Sequence, residues 1–201
     1  MSSPQLILAS ASPRRQSLLR EAGYVFSICP ANVNEEDYPR PILAVDLATL
    51  LSEKKARAVA VDHPRDVVLG SDTVIALDLF EKGEELLGKP EGPAHAAKML
   101  RQLSGTTHRV VTGVCLVCLF EQKINLQVET STVRMRELSD SEIQTYVKSR
   151  QWEGKAGGYG IQDQDPFVTN LKGSLSNIVG LPMELTGKML QEFGILPSLK
   201  T

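Results

Sequence analysis

The chain has 201 residues, 42% of them hydrophobic and 23% charged, with a formal net charge of −2. That length buries a sizeable core, and the composition gives no case for disorder. A near-neutral total excludes a broad electrostatic footprint for nucleic acid, so any anion site must be local.

In chain order, "QLILA" (5–9) is a short apolar run, as in a strand buried on both faces. A helix start follows in "SASPRRQSLL": Ser12 can cap, Pro13 suits the first helical position, and Gly23 supplies the stop. Arg14 and Arg15 then stand at the positive end of a helix, where the macrodipole favours anions. A phosphate there would meet backbone donors and a guanidinium fork together. Residues 24–29 read as a strand, and the polar, proline-broken "NEEDYPRP" (34–41) reads as a loop. Its Glu35, Glu36 and Asp37 are a solvated cluster or a carboxylate source for a divalent cation.

Residues 43–61 show the period of a long helix. Counting about 100° per residue from Leu47, Lys54 falls about 20° to one side, inside the apolar face, and Lys55 about 80° to the other, at its edge. "DVVLGSDTVIALD" (66–78) reads as a strand interrupted at Gly70–Thr73. Asp72 there suits a metal ligand, a general base or a simple Asx turn. "GEELLGKP" fits the start of a phosphate loop, but Pro90 stands where the hydroxyl residue belongs, and that reading is rejected.

A helix ends at Gly105, and strand-like runs at 107–120 and 126–135 are expected to pair antiparallel. Cys115 and Cys118 are three apart in the first run, so they point to opposite faces. With Cys29 they form neither a zinc set nor a disulfide scaffold. Ser139 and Glu142 form a capping box before a helix to about residue 149. "GKAGGYGIQDQDPF" is glycine-rich, and a last amphipathic helix (183–193) stops at Gly194. Strands alternate with helices, so an α/β fold with a mixed sheet is expected, as a single domain over residues 1–201. No stretch approaches the roughly 20 apolar residues of a membrane span and no basic leader is present, which predicts a cytoplasmic protein.

The motifs "LASASPRRQSLL", "NEEDYP", "EKKARAV", "LGSDTV", "LGKP", "LSGTTHRVVTG", "KAGGYGIQ" and "SNIVGLP" stand in order over about residues 5–195. In them the chain resembles the Maf family of nucleoside triphosphate pyrophosphatases. The resemblance implies hydrolysis of a nucleoside triphosphate to monophosphate and pyrophosphate with Mg²⁺ or Mn²⁺, in the service of nucleotide-pool housekeeping. It also implies an α/β fold with two lobes around a cleft and a mixed, twisted sheet similar to that of inosine triphosphate pyrophosphatases. A homodimer is expected. The family's catalytic set falls on Ser10, Arg15, Glu35, Lys55, Asp72 and Lys89, joined by Ser12, with Asp72 as proton acceptor and Glu35 and Asp72 as metal ligands. "SPRR", "SDT" and "GYGIQ" resemble the branch acting on dTTP and UTP, which assigns Arg14, Thr73 and Gln162 to substrate selection. CTP or modified pyrimidine triphosphates fall within the expected range. "DQDPF" departs from that branch's glycine-rich continuation, and Asp163 and Asp165 could alter the range of bases. Either Glu35 or Glu36 could fill the acidic position. The helical wheel favours Lys54 where the resemblance favours Lys55. The non-enzymatic reading is a nucleotide sensor acting in cell division, which would bind without turnover.

Overall fold

The computed structural model describes residues 4–79, 83–162 and 167–198. In chain order the elements are β1 (Leu6–Leu8), α1 (Pro13–Glu21), β2 (Ser27–Ile28), α2 (Ala44–Ala60), β3 (Val67–Leu79), β4 (Gly83–Leu87), α3 (Pro93–Leu103), β5 (Thr107–Cys118), β6 (Lys123–Met135), α4 (Asp140–Lys148), β7 (Val168–Lys172), α5 (Leu175–Val179) and α6 (Met183–Glu192). All seven strands join one sheet, in the order β2-β1-β3-β5-β6-β7, with β4 added to β3. β1 runs parallel to β2 and β3, and every other pairing is antiparallel. This is the mixed α/β fold expected from the sequence. No helix among the described residues is long and apolar enough to cross a membrane.

Helix α2 covers one face of the sheet. Its apolar side meets Ile7, Val68 and Val117 at one end, and Val74, Ala76 and Val111 at the other. The opposite face carries two groups of helices. α1 and α6 pack on Leu6, Leu8, Leu69 and Leu116, while α3 and α4 pack on Ile75, Val110 and Val133. Alternation along β3 sends odd residues to one group of clusters and even residues to the other, as strand geometry requires. Cys115 and Cys118 fall in clusters on opposite faces, as their spacing predicts, and all three cysteines are free thiols.

The sheet splits at β3. On the side away from β5, Val67–Leu69 pair with β1 and Ile75–Leu79 pair with β4. Among the described residues, 70–74 have no strand partner on that side, while β5 continues beside them. Thus β3 is continuous where the sequence predicts an interruption at Gly70–Thr73; what breaks there is its neighbour. The predicted strand at 24–29 shrinks to Ser27–Ile28. β4, β7 and the five-residue α5 are not predicted by periodicity; each is too short to carry a clear pattern.

Local sequence chemistry sets the helix ends. Ser12 accepts from the Arg15 amide and Pro13 opens α1. Ser139 and Glu142 form the predicted capping box of α4, and the bonds from Ser139 hold the Glu142 carboxyl at about 2. α2 has no side-chain cap of its own. Instead Glu84 of β4 accepts from the Ala44 amide at 2.8 Å, and its other oxygen pairs with Arg109 at 2.6 Å. Glu84, which falls within the rejected phosphate-loop match, is thus a helix cap.

Candidate active site

Helix α2 lies so close to the sheet at Gly70 and Gly113 that only glycine fits at those two positions. A Cβ on Gly70 would sit 2.6 Å from the Ala56 nitrogen, and one on Gly113 would meet the Ala48 carbonyl and the Ser52 hydroxyl. Gly113 is the register partner of Asp72. The close approach carries Lys55 over that pair, and its Nζ donates to Asp72 Oδ1 at 2.6 Å. The same ammonium pairs with Glu35 Oε1 at 2.8 Å. Lys55 and Asp72 are buried, whereas Glu35 comes from the loop and is 42% exposed at its side chain. Lys89 is more open, with its Nζ 3.8 Å from Glu35 Oε2.

Lys55, not Lys54, therefore enters the site. Its neighbour Lys54 reaches outward and binds the Asn34 carbonyl at 3.0 Å and Asp37 Oδ2 at 3.1 Å, so it ties down the loop that carries Glu35. Of the two adjacent glutamates, Glu35 faces Lys55, whereas Glu36 pairs with Arg40 at 3.0 Å. Burial acts to raise the Glu35 carboxyl, but the Lys55 hydrogen bond and charge, with Lys89 and Arg15, outweigh it and hold it below its ordinary value.

Arg15 fills the split in the sheet. Nε donates to the Gly180 carbonyl (2.8 Å), Nη1 to Ser71 O (2.8 Å) and Ser10 Oγ (3.2 Å), and Nη2 to Thr73 Oγ1 (3.2 Å). Four of the guanidinium's five N–H donors are thus held inside the protein. Burial lowers its pKa, with Arg14 adding to that and Asp72 and Glu35 opposing it. Thr73 Oγ1 also meets Thr112 Oγ1 at 3.0 Å and the Gly180 carbonyl at 3.4 Å, so its hydroxyl is engaged within this network. Ser10 Oγ accepts from the Ser12 amide as well. Arg14 donates to the Gly154 carbonyl at 2.8 Å, joining the start of α1 to the segment before "KAGGYGIQ".

These side chains surround one cavity of about 460 Å³, within the usual range for small-molecule sites of roughly 300–1,000 Å³. Ser10, Ser12, Arg14, Arg15, Glu35, Lys55, Asp72, Thr73, Lys89 and Gln162 all line it, so every residue that the resemblance assigns to catalysis or substrate selection is brought together. Among the lining residues, five basic side chains stand against three carboxylates. The cavity is locally cationic in a chain of net charge −2. Asp163 and Asp165 lie outside the described residues.

Sequence reasoning gave no role to Gly180, Ile75, Tyr159 or Lys155, which also line the cavity. Gly180 stands in the quoted "SNIVGLP", but its contribution is a backbone carbonyl, and side-chain chemistry gives no signal for that. Ile75 and Tyr159 belong at the same time to the apolar cluster beneath α3 and α4.

Residues 5–193 match the Maf family, described as "Maf-like protein". The chain is 44% identical to the dTTP/UTP pyrophosphatase of Koribacter versatilis over 95% of each chain. It is 45% identical to the dTTP/UTP pyrophosphatase of Exiguobacterium sibiricum, over 96% of this chain and 94% of that one. A HAM1 protein from Coxiella burnetii superposes with a TM-score of 0.48 at 16% identity, over 94% of this chain and 99% of that one. The match from β1 through α6, with relatives this similar along nearly their whole length, establishes that the chain belongs to the Maf family.

Proposed function

We propose that this chain is a nucleoside triphosphate pyrophosphatase that hydrolyses dTTP and UTP to the nucleoside monophosphate and pyrophosphate. The observation that carries the reading is the convergence of Glu35 and Asp72 on the Lys55 ammonium inside a cationic cavity. The names of the relatives supply the substrates.

A divalent cation fits the donor set. Two carboxylates already meet around one positive charge, and both offer the hard oxygens that Mg²⁺ and Mn²⁺ prefer. No cluster of three or more His, Cys, Asp or Glu is present among the described residues. That suits a cation held by one or two carboxylates and completed by substrate phosphates and water. Glu35 and Asp72 would hold it, and when bound it would draw charge from the phosphate oxygens.

In this reading the chain's own groups do the following. Lys89 and Lys55 neutralise the triphosphate. Arg15 adds a fixed buried charge and one remaining N–H, while its other donors keep Ser10, Ser71, Thr73 and Gly180 in place. Asp72 takes the proton of a water that attacks the α-phosphorus; a new P–O bond forms, the bond to the β-phosphate oxygen breaks, and pyrophosphate leaves. Gln162 reads the polar edge of the base from the cavity wall. Ser12 and Arg14 order the approach, the first by capping α1, the second by holding Gly154.

The test is product analysis with UTP, dTTP, CTP and a purine triphosphate in Mg²⁺ or Mn²⁺. Pyrophosphate and monophosphate from UTP and dTTP are expected. Orthophosphate as the product would overturn the reaction type, and binding without product would leave a sensor.

A further inference from the structure

His108 on β5 is 1% exposed, and no step above uses it. Its Nε2 lies 2.6 Å from the Tyr159 hydroxyl, and the two rings meet edge to face at 5.5 Å. Tyr159 is itself buried, yet it lines the cavity together with the three residues that follow it, Gly160, Ile161 and Gln162. The backbone just before it is tightly wedged. Gly157 and Gly158 have φ of 68° and 74°, and a Cβ on them would come within 3.0 Å of Ile75 Cγ1 and 3.2 Å of Pro90 Cγ. The Gly157 amide donates to the Gly88 carbonyl at 2.9 Å, one residue before Lys89. One short segment therefore touches both the wall that carries Gln162 and the loop that carries Lys89.

The histidine is a costly choice for that position if stability is its only purpose. Its Nδ1 has no hydrogen-bond partner among the described residues, and a buried polar atom left unpartnered is destabilising. Its register partner Val133 belongs to an apolar cluster where a leucine would carry no such cost. What the imidazole supplies, and an aliphatic side chain would not, is the bond to Tyr159. Burial drops His108 to about 4 and raises Tyr159, so the pair is neutral at physiological pH and places no charge near the nucleotide.

We propose that His108 is a positioning residue for nucleotide recognition, holding Tyr159 so that residues 159–162 form a fixed wall for the base. The proposal rests on the reading of the cavity as a nucleoside triphosphate site. Three variants test it. His108→Leu removes the bond, Tyr159→Phe removes it while keeping the ring, and His108→Gln restores a polar group near the position of Nε2. The first two should raise KM for UTP about tenfold while kcat changes less than about threefold. The double variant should resemble the single ones, and His108→Gln should recover most of the affinity. Amide hydrogen exchange over residues 155–162, read by mass spectrometry without substrate, should quicken at least tenfold in Tyr159→Phe.

Wild-type KM and substrate ranking in Tyr159→Phe, with only a lower melting temperature, would overturn the proposal. Unchanged exchange over 155–162 would overturn it as well. If His108→Leu does not fold, Tyr159→Phe alone decides. If the wild-type protein turns over no triphosphate, the functional reading fails, and the exchange measurement still tests whether His108 anchors the segment.

Discussion

At the scale of single residues, the site is organised by one ammonium. Lys55 pairs with Asp72 at 2.6 Å and with Glu35 at 2.8 Å, so both carboxylates are pre-ordered before any ligand arrives. Replacing Asp72 by Asn keeps the shape but removes the group proposed above as proton acceptor. A general base contributes about 10²–10⁴-fold, so steady-state assay with UTP should show kcat reduced by at least about 10²-fold. A wild-type kcat would assign the base elsewhere. Glu35 adds a pH signature. Its folded value is depressed, so its contribution to stability is fully present above its ordinary value and is lost as pH falls through the lower folded value. Lys55→Met removes the dominant opposing interaction and leaves burial, which raises the carboxyl. A carboxyl-resolved NMR titration should find Glu35 titrating at higher pH in that variant, and acid unfolding should lose the stabilisation that Glu35 supplies. An unmoved titration would mean that Lys89 and Arg15 hold the group without Lys55.

At the scale of elements, α2 explains what the sequence made legible and what it did not. Its existence and length follow from periodicity, and 43–61 against the observed Ala44–Ala60 differs only by frayed ends. Its orientation was harder to read. Leu47 marks the edge of the buried face, whose middle is set by Ala48, Ser52, Lys55, Ala56 and Val59. Small residues carry little hydrophobic weight, so a wheel anchored on leucine points to Lys54. The motif resemblance finds Lys55 because it compares positions rather than hydrophobicity. β3 shows the same limit: its run is visible, but the gap between β1 and β4 on one side is a property of three strands at once. The small face of α2 and the glycines beneath it act together. Gly70→Ala or Gly113→Ala forces α2 outward against backbone atoms that cannot rotate away. Overpacking typically costs about 1–3 kcal/mol and occasionally more, and the upper end is expected here in denaturant unfolding. Because Lys55 moves with the helix, kcat should fall in the same variants. Full stability and activity in Gly113→Ala would show that α2 tolerates displacement from Asp72.

For the molecule as a whole, the question is whether the two helical groups on one face of the sheet fold independently. β3 places Ile75 in the cluster beneath α3 and α4, Val67 and Leu69 in the cluster beneath α1 and α6, and Val68, Val74 and Ala76 against α2. β5 does the same with Val110, Val114, Cys115 and Val111. No cluster can lose its strands without the others losing theirs, and the cavity lies where these strands pass between the two groups of helices. We therefore read the chain as one cooperative unit whose cleft cannot outlast either side. The single tryptophan, Trp152, reports on the α3–α4 side, whereas Leu190 of α6 is fully buried on the far one. Leu190→Ala should cost about 2–5 kcal/mol through the cavity it leaves. In guanidinium unfolding, Trp152 fluorescence and far-ultraviolet circular dichroism should shift to the same lower midpoint. A Trp152 transition that keeps its wild-type midpoint while the dichroism transition divides in two would show separate units, and the cleft would then be a junction between domains.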